Sequence, residues 1–151
     1  MLIESRPCSD PELAALVTAQ QRELREANQP VGSVGGSFPT QDDVRYLVGV
    51  LSGRVVACGA LRTIDRATAE ITRMYVRPAY RRRGIGRQLL DALEELAYVA
   101  GHSVLRLETR TYLPSAIALY RSADYTDIPA YGEYVGNPHS ACFGKRILVS
   151  A

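Results

Sequence analysis

Lysine is almost missing from this chain: of eighteen Lys and Arg residues, Lys145 alone is a lysine. A nucleotide loop of the Gly-x-x-x-x-Gly-Lys-Ser/Thr kind is thereby excluded, because its phosphate-binding lysine has no candidate. Histidine is scarce too. His102 and His139 stand without a partner motif, so no metal is expected, and His102 suits the end of a helix, where the dipole favours it. Cys8, Cys58 and Cys142 are odd in number and widely spaced. They fit neither a disulfide framework nor a metal site, which points to a reducing, cytoplasmic setting. Cys58, in Val55-Val56-Ala57-Cys58, reads as a buried, inert thiol. No apolar run approaches the length of a membrane span. Met1-Leu2-Ile3-Glu4-Ser5-Arg6 lacks the basic start and apolar core of a signal peptide. A net charge of +2 argues against a general nucleic-acid binder. At 151 residues the chain fits a single domain, 1–151, with a substantial core.

The basic charge that is present lies bunched. Arg73, Arg77, Arg81, Arg82, Arg83 and Arg87 fall within fifteen residues, which suits a small polyanion. The run from Met74 to Arg87 starts as an apolar stretch ending at Val76. It continues through the arginines to Gly84-Ile85-Gly86 and then enters a helical pattern. Ile85, Leu89, Leu93, Leu96, Ala97 and Ala100 recur at spacings of three and four on one face, and Gly101 is a stop. Strand, basic loop and helix start follow in order. Free N–H groups at a helix start bind anions, glycine allows close backbone approach, and guanidinium groups add forked donors. The expected guest is a phosphate or diphosphate. A dinucleotide fingerprint would need a third glycine where Leu89 stands. A solvated, arginine-rich turn before an ordinary helix is the plain alternative.

Along the chain, Leu2 to Arg6 predicts a short strand, and Ser9-Asp10-Pro11-Glu12 starts a helix reaching about Ala27. Asn28 to Thr40 is a loop rich in Gly, Pro and Ser, either substrate-gating or a plain connector. Tyr46–Leu51 and Arg54–Leu61 form a hairpin across Ser52-Gly53, and Ala69–Val76 follows a second turn at Asp65 to Ala67. After the long helix come a strand at Val104–Glu108 and a helix opened by Pro114. The remaining short strands end in Cys142-Phe143-Gly144-Lys145-Arg146-Ile147. Val104–Glu108 is expected to run parallel to Ala69–Val76, because a helix joins them.

Arg81-x-x-Gly84-x-Gly86 resembles the Arg/Gln-x-x-Gly-x-Gly/Ala signature of the GNAT N-acetyltransferases, and Ala116-Ile117-Ala118-Leu119-Tyr120 resembles the later Ala-Ile-x-Leu-Tyr of that family. The order β-α-loop-β-β-β-α-β-α-β-β is similar to the family's over the whole chain. The implied fold is α/β (α+β): a central, mixed, mostly antiparallel twisted sheet flanked by helices, with the fourth and fifth strands parallel and splayed. The resemblance implies that acetyl-CoA is the acetyl donor. Its pantetheine arm would lie on backbone groups of Met74, Tyr75 and Val76, and its diphosphate on Arg81, Arg82, Arg83, Gly84, Ile85, Gly86 and Arg87. Leu113, followed by Pro114, stands where the family often carries Asn.

Acetyl transfer from a thioester needs a neutral amine, donors for the oxyanion, and a proton or its equivalent for the thiolate. On the resemblance, Tyr120 lies beside the cofactor sulfur and donates that proton; a phenol titrates near about 10. Glu70 is the candidate base, at the position of a glutamate base in the histone acetyltransferase branch. Neutralising an alkyl ammonium at pH 7 costs roughly 4–5 kcal/mol, and a carboxylate acting through water could accept the proton. Strand alternation is expected to put Glu70, Thr72, Met74 and Val76 on one face. By resemblance Tyr131 lines the acceptor pocket, within the segment Ile128 to Pro138. The plain alternatives are a buried strand at Met74 to Val76, a core tyrosine, a glutamate paired with an arginine, and a surface loop.

The expected activity is direct transfer from acetyl-CoA to the primary amine of a small molecule; no cysteine is placed for an acetyl-enzyme. Alternatives are a protein lysine or N-terminal amine acceptor, and a non-catalytic acyl-CoA sensor. No nucleic-acid or membrane partner is expected, since exposed aromatics do not interleave with the arginines. A homodimer stays open.

Overall fold

Ser52 and Gly53 both adopt positive φ, 51° and 76°. This is the two-residue turn whose twist matches a tight hairpin, and it joins β2 (Val44–Leu51) to β3 (Arg54–Thr63). The next turn is made by a side chain: the Asp65 carboxylate accepts the N–H groups of Ala67 and Thr68 at 2.9 and 2.8 Å and leads into β4 (Thr68–Val76). β1 (Leu2–Arg6) pairs antiparallel with β2. The computed structural model describes residues 1–27 and 44–147; the expected loop Asn28 to Thr40 lies outside the described residues.

Between β1 and β2 runs α1 (Pro11–Ala27). Asp10 caps it, accepting the Leu13 N–H at 2.9 Å, with Pro11 first in the helix, where its missing N–H costs nothing. α2 (Ile85–Val99) joins β4 to β5 (Val104–Arg110) and ends where expected: Gly101 takes φ 91° and the His102 N–H closes on the Ala97 carbonyl at 3.0 Å. α3 (Pro114–Ser122), β6 (Thr126–Asp127) and β7 (Ser140–Arg146) complete the chain. The seven strands lie in the order β1-β2-β3-β4-β5-β7-β6. β4 and β5 are the parallel pair, as the connecting helix requires.

Each sheet face has its own core. Leu13, Leu16 and Val17 of α1 pack on Tyr46, Val48, Cys58 and Tyr75. On the other face, Ile85, Leu89, Leu90, Leu93 and Ala97 of α2 and Tyr120 of α3 pack on Val56, Ile71, Leu105, Leu107 and Phe143. Each buried aliphatic side chain contributes roughly 1.5–3 kcal/mol. Of the expected α2 face, Leu96 is half-buried and Ala100 exposed, while Leu90 joins the core.

β4 breaks its own alternation. Cys58 of β3 faces Tyr75, yet Ala60 faces Thr72, so β4 carries one extra residue between them. Arg73, at φ 59°, marks this bulge. Ile71 before it and Met74 and Val76 after it all face the α2 core. The expectation that Glu70 and Thr72 share a face with Met74 and Val76 is therefore corrected: one inserted residue inverts the phase, and Glu70 projects from the opposite face.

Candidate active site

The pairing of β4 with β5 ends at Ile71 and Leu107, while β4 continues to Val76 and β5 to Arg110. From Thr72 onward the strands part. The Arg77 N–H donates to the Val56 carbonyl at 2.9 Å, so the neighbouring Val76 turns its N–H and C=O away from β3, toward the opening. Gln20 Nε2 donates to the Met74 carbonyl and Arg81 Nε to the Val76 carbonyl, both at 2.8 Å. The parted edge of β4 thus has its carbonyls braced, and its Val76 N–H faces the gap.

At the end of β4 lies the start of α2. Gly84 is its N-cap at φ 77°, with no side-chain cap bond, and the first intrahelical bond runs from the Gln88 N–H to the Gly84 carbonyl at 3.1 Å. The N–H groups of Ile85, Gly86 and Arg87 have no partner inside the helix, which makes this turn attractive to an anion. A Cβ on Gly86 would lie 3.4 Å from Leu119 and 3.8 Å from Val76, so β4, α2 and α3 converge there. Arg82 and Arg83 are exposed beside it, with Arg83 over the Tyr80 ring. Arg87 reaches Asp91 at 3.4 Å. Arg81 is engaged elsewhere: besides the Val76 carbonyl it grips Glu23 of α1 at 2.8 Å and stacks over Tyr75.

Tyr120 stands on α3 at 6% exposure, its ring edge-on to Tyr125 and tilted against Phe143. Its hydroxyl has no hydrogen-bond partner among the described residues. Burial first, then the charge of Glu108, pushes this phenol above its ordinary range, so it stays protonated and can donate.

The opposite sheet face is polar. Glu70, 4% exposed, faces Arg62 on β3 and Arg106 on β5 by register. Its Oε1 accepts from Arg62 Nε at 3.2 Å and its Oε2 from the Tyr131 hydroxyl at 2.7 Å. Arg106 lies 3.9 Å over the Tyr131 ring, and Tyr134 meets that ring edge-on at 5.4 Å. Burial and Glu70 push the Tyr131 phenol well above its usual value. Glu108 is two residues beyond Arg106, so it projects from this same face; its Oε2 accepts from Ser140 Oγ at 2.6 Å.

The residues expected to act thus fall into two groups. Met74, Val76, Gly84 to Arg87 and Tyr120 lie on the α2 side of the sheet, and Glu70 and Tyr131 lie on the other. The sequence reading missed Glu108, Gln20 and Glu23; Tyr134 lies in the segment Ile128 to Pro138 expected to border the acceptor pocket. The alternation Leu105-Arg106-Leu107-Glu108-Thr109-Arg110 marks Glu108 as one of a polar face, but only the register brings it beside Glu70. Cys58 is buried and its thiol is pushed up to about 12 by burial, an inert group. His102 is buried at the C-terminal end of α2, and His139 is exposed beside Tyr112. Among the described residues no group of His, Cys, Asp and Glu is placed to hold a metal.

A mixed sheet parted between two parallel strands, with a helix start that has no side-chain cap at the mouth of the gap, offers an extended anionic ligand an open strand edge and free N–H groups. Residues 16–125 match the Acetyltransferase (GNAT) family, and the chain belongs to that family of N-acetyltransferases. It is 42% identical over 106 residues to the IAA acetyltransferase of Azospirillum brasilense, covering 70% of this chain and 69% of that protein. A solved structure from Klebsiella pneumoniae, assigned to the acyl-CoA N-acyltransferases, superposes with a TM-score of 0.84 at 30% identity, over 97% of each chain. A GNAT family acetyltransferase from Elizabethkingia anophelis with acetyl-CoA bound shares the fold at a TM-score of 0.71 and 15% identity, over 96% of this chain and 97% of that one.

Proposed function

We propose that this chain is a single catalytic domain that transfers the acetyl group of acetyl-CoA directly to the primary amine of a small molecule. The observation that carries the reading is the parting of β4 from β5 beside the open start of α2. The Val76 N–H would polarise the thioester oxygen, and an arm laid along Met74, Tyr75 and Val76 would pair with that edge as an added strand does. The N–H groups of Ile85, Gly86 and Arg87, with Arg82 and Arg83 beside them, would hold the diphosphate, while Arg81 anchors the loop to α1. Tyr120 would donate to the leaving sulfur. Glu70 and Tyr131 would wall the acceptor side. A cytoplasmic setting suits the free cysteines Cys8, Cys58 and Cys142, and among the described residues no helix is long and apolar enough to cross a membrane.

The test is thiol release from acetyl-CoA with a panel of amines, IAA and a lysine peptide, with products read by mass spectrometry. Acetylated small amines support the reading. Acetylation of the peptide alone moves the acceptor to a protein, and binding of acetyl-CoA without thiol release makes the chain a sensor.

A further inference from the structure

Three arginines stand on the polar face of the sheet beside the opening, and two of them have carboxylates. Arg62 holds Glu70 at 3.1 Å, and Arg110 reaches Glu108 at 3.4 Å. Arg106 has no ion pair or hydrogen bond among the described residues. It faces Glu70 by register, yet Glu70 is closed to it: Oε1 accepts from Arg62 and Oε2 from the Tyr131 hydroxyl. Asp65 feels the charge of Arg106 without pairing with it, its carboxylate being held by the Ala67 and Thr68 N–H groups. Glu133, on the covering segment, is exposed and forms no ion pair among the described residues.

Arg106 is nonetheless held in place. Its guanidinium lies 3.9 Å over the Tyr131 ring, which Tyr134 braces edge-on. Its partner on β7 is Gly144, where a Cβ would lie 3.1 Å from Ile128, so Ile128 covers β7 beside it. The Arg106 Nε is buried with no partner, while the terminal nitrogens are not shut away with it. Stacking on Tyr131 accounts for the position of the guanidinium but engages none of its N–H donors. A half-buried cation with unused donors is costly until an anion meets it, and the guanidinium fork matches a carboxylate.

Resting on the transferase reading, we propose that the acceptor is an amino acid rather than a simple amine, and that Arg106 binds its carboxylate. The carboxylate gives Arg106 the partner that Arg62 and Arg110 already have. Glu108, two residues further along β5, lies beyond the last pair with β4, so about 7 Å of strand separates Arg106 from the opening. The amine end of the bound molecule covers that distance along the polar face. An amide of the same shape brings no charge and leaves Arg106 unpaired, which is the basis of discrimination.

The experiment compares kcat/KM for glycine, L-phenylalanine, γ-aminobutyrate and ε-aminohexanoate, each against its own primary amide, in the parent, Arg106→Met and Arg106→Lys. The parent should take at least one acid over its amide by about tenfold to a hundredfold. Arg106→Met keeps an apolar stem against Tyr131 and should abolish that preference by raising the KM for the acid, with the amide and the KM for acetyl-CoA unchanged. Arg106→Lys keeps the charge without the fork and should fall between the two. Dividing the acid-to-amide ratio of the parent by that of a variant cancels differences in amine basicity. It also separates recognition from packing, since an arginine that only holds Tyr131 would affect acid and amide alike. A parent that takes no acid over its amide overturns the proposal, as does a preference that survives in both variants or a loss that acid and amide share. In those cases the amides and simple amines are still acetylated. A parent that binds acetyl-CoA and acetylates nothing overturns the transferase reading itself, and this assignment with it.

Discussion

At the residue scale, the environment of each side chain decides what it can do. Tyr120 keeps its proton because burial and Glu108 both penalise a phenolate. In the proposed reaction, since a thiol is the stronger acid, its first service would be a hydrogen bond to sulfur as charge develops there. Tyr120→Phe keeps the ring against Tyr125 and Phe143 and removes only the hydroxyl. We expect turnover to fall by about a hundredfold or more, with the melting-temperature rise caused by acetyl-CoA retained. Turnover within about twofold of the parent, with chemistry rate-limiting, would leave Tyr120 a packing residue. Glu108 gives a second expectation, in stability. Its folded carboxyl titrates above its ordinary 4.5, so the folded chain holds a proton at a pH where the unfolded chain has lost it. The stability contributed at low pH is therefore lost as pH rises from about 4.5 through the raised value. Asp10 and Asp65 are lowered by backbone N–H bonds and act in the opposite sense, losing their contribution as pH falls. Urea unfolding across pH should show a stability difference between Glu108→Gln and the parent that grows in the variant's favour through that window. A pH-independent difference would remove Glu108 as its source.

At the element scale, one turn is strained and one strand changes phase. Ser52 is an exposed residue in the left-handed region, where a side chain other than Gly, Asn or Asp costs roughly 1–2 kcal/mol. Asn is at home in the first position of this hairpin turn, so Ser52→Asn should stabilise the fold by about 0.5–1 kcal/mol, read as a higher urea midpoint with an unchanged slope. A lower midpoint would show that the Ser52 side chain holds the turn. The Arg73 bulge has a larger consequence than strain. It points Met74 and Val76 toward α2 while Glu70 stays on the polar face, so the two ends of one strand present side chains to opposite sides of the sheet.

At the scale of the whole molecule, the gap is a meeting of β4, α2 and α3, and its ligand should bind the folded chain alone. Acetyl-CoA at about a hundred times its dissociation constant should then add about 2.7 kcal/mol to unfolding stability, seen as a raised melting temperature without any amine. Gly86→Leu should abolish that rise, because even a Cβ there meets Leu119 at 3.4 Å and a longer side chain fills the approach to the helix start. Gly84→Val should do the same and lower the starting stability by about 1–2 kcal/mol, since Gly84 is left-handed. A full rise in both variants would remove the diphosphate from the α2 start. The sequence by itself determined the element order, the hairpin at Ser52-Gly53, the helix stop at Gly101, the basic loop and the place of Tyr120 on α3. All of these follow from contacts between residues close in the chain. Tertiary structure alone decided which residues face one another. A single inserted residue at Arg73 reversed the face of Glu70, and the β4–β5 register set it against Arg106. The last pair at Leu107 placed Glu108 at the opening. Strand phase and register come from pairing between distant segments, and no local pattern in the chain records them.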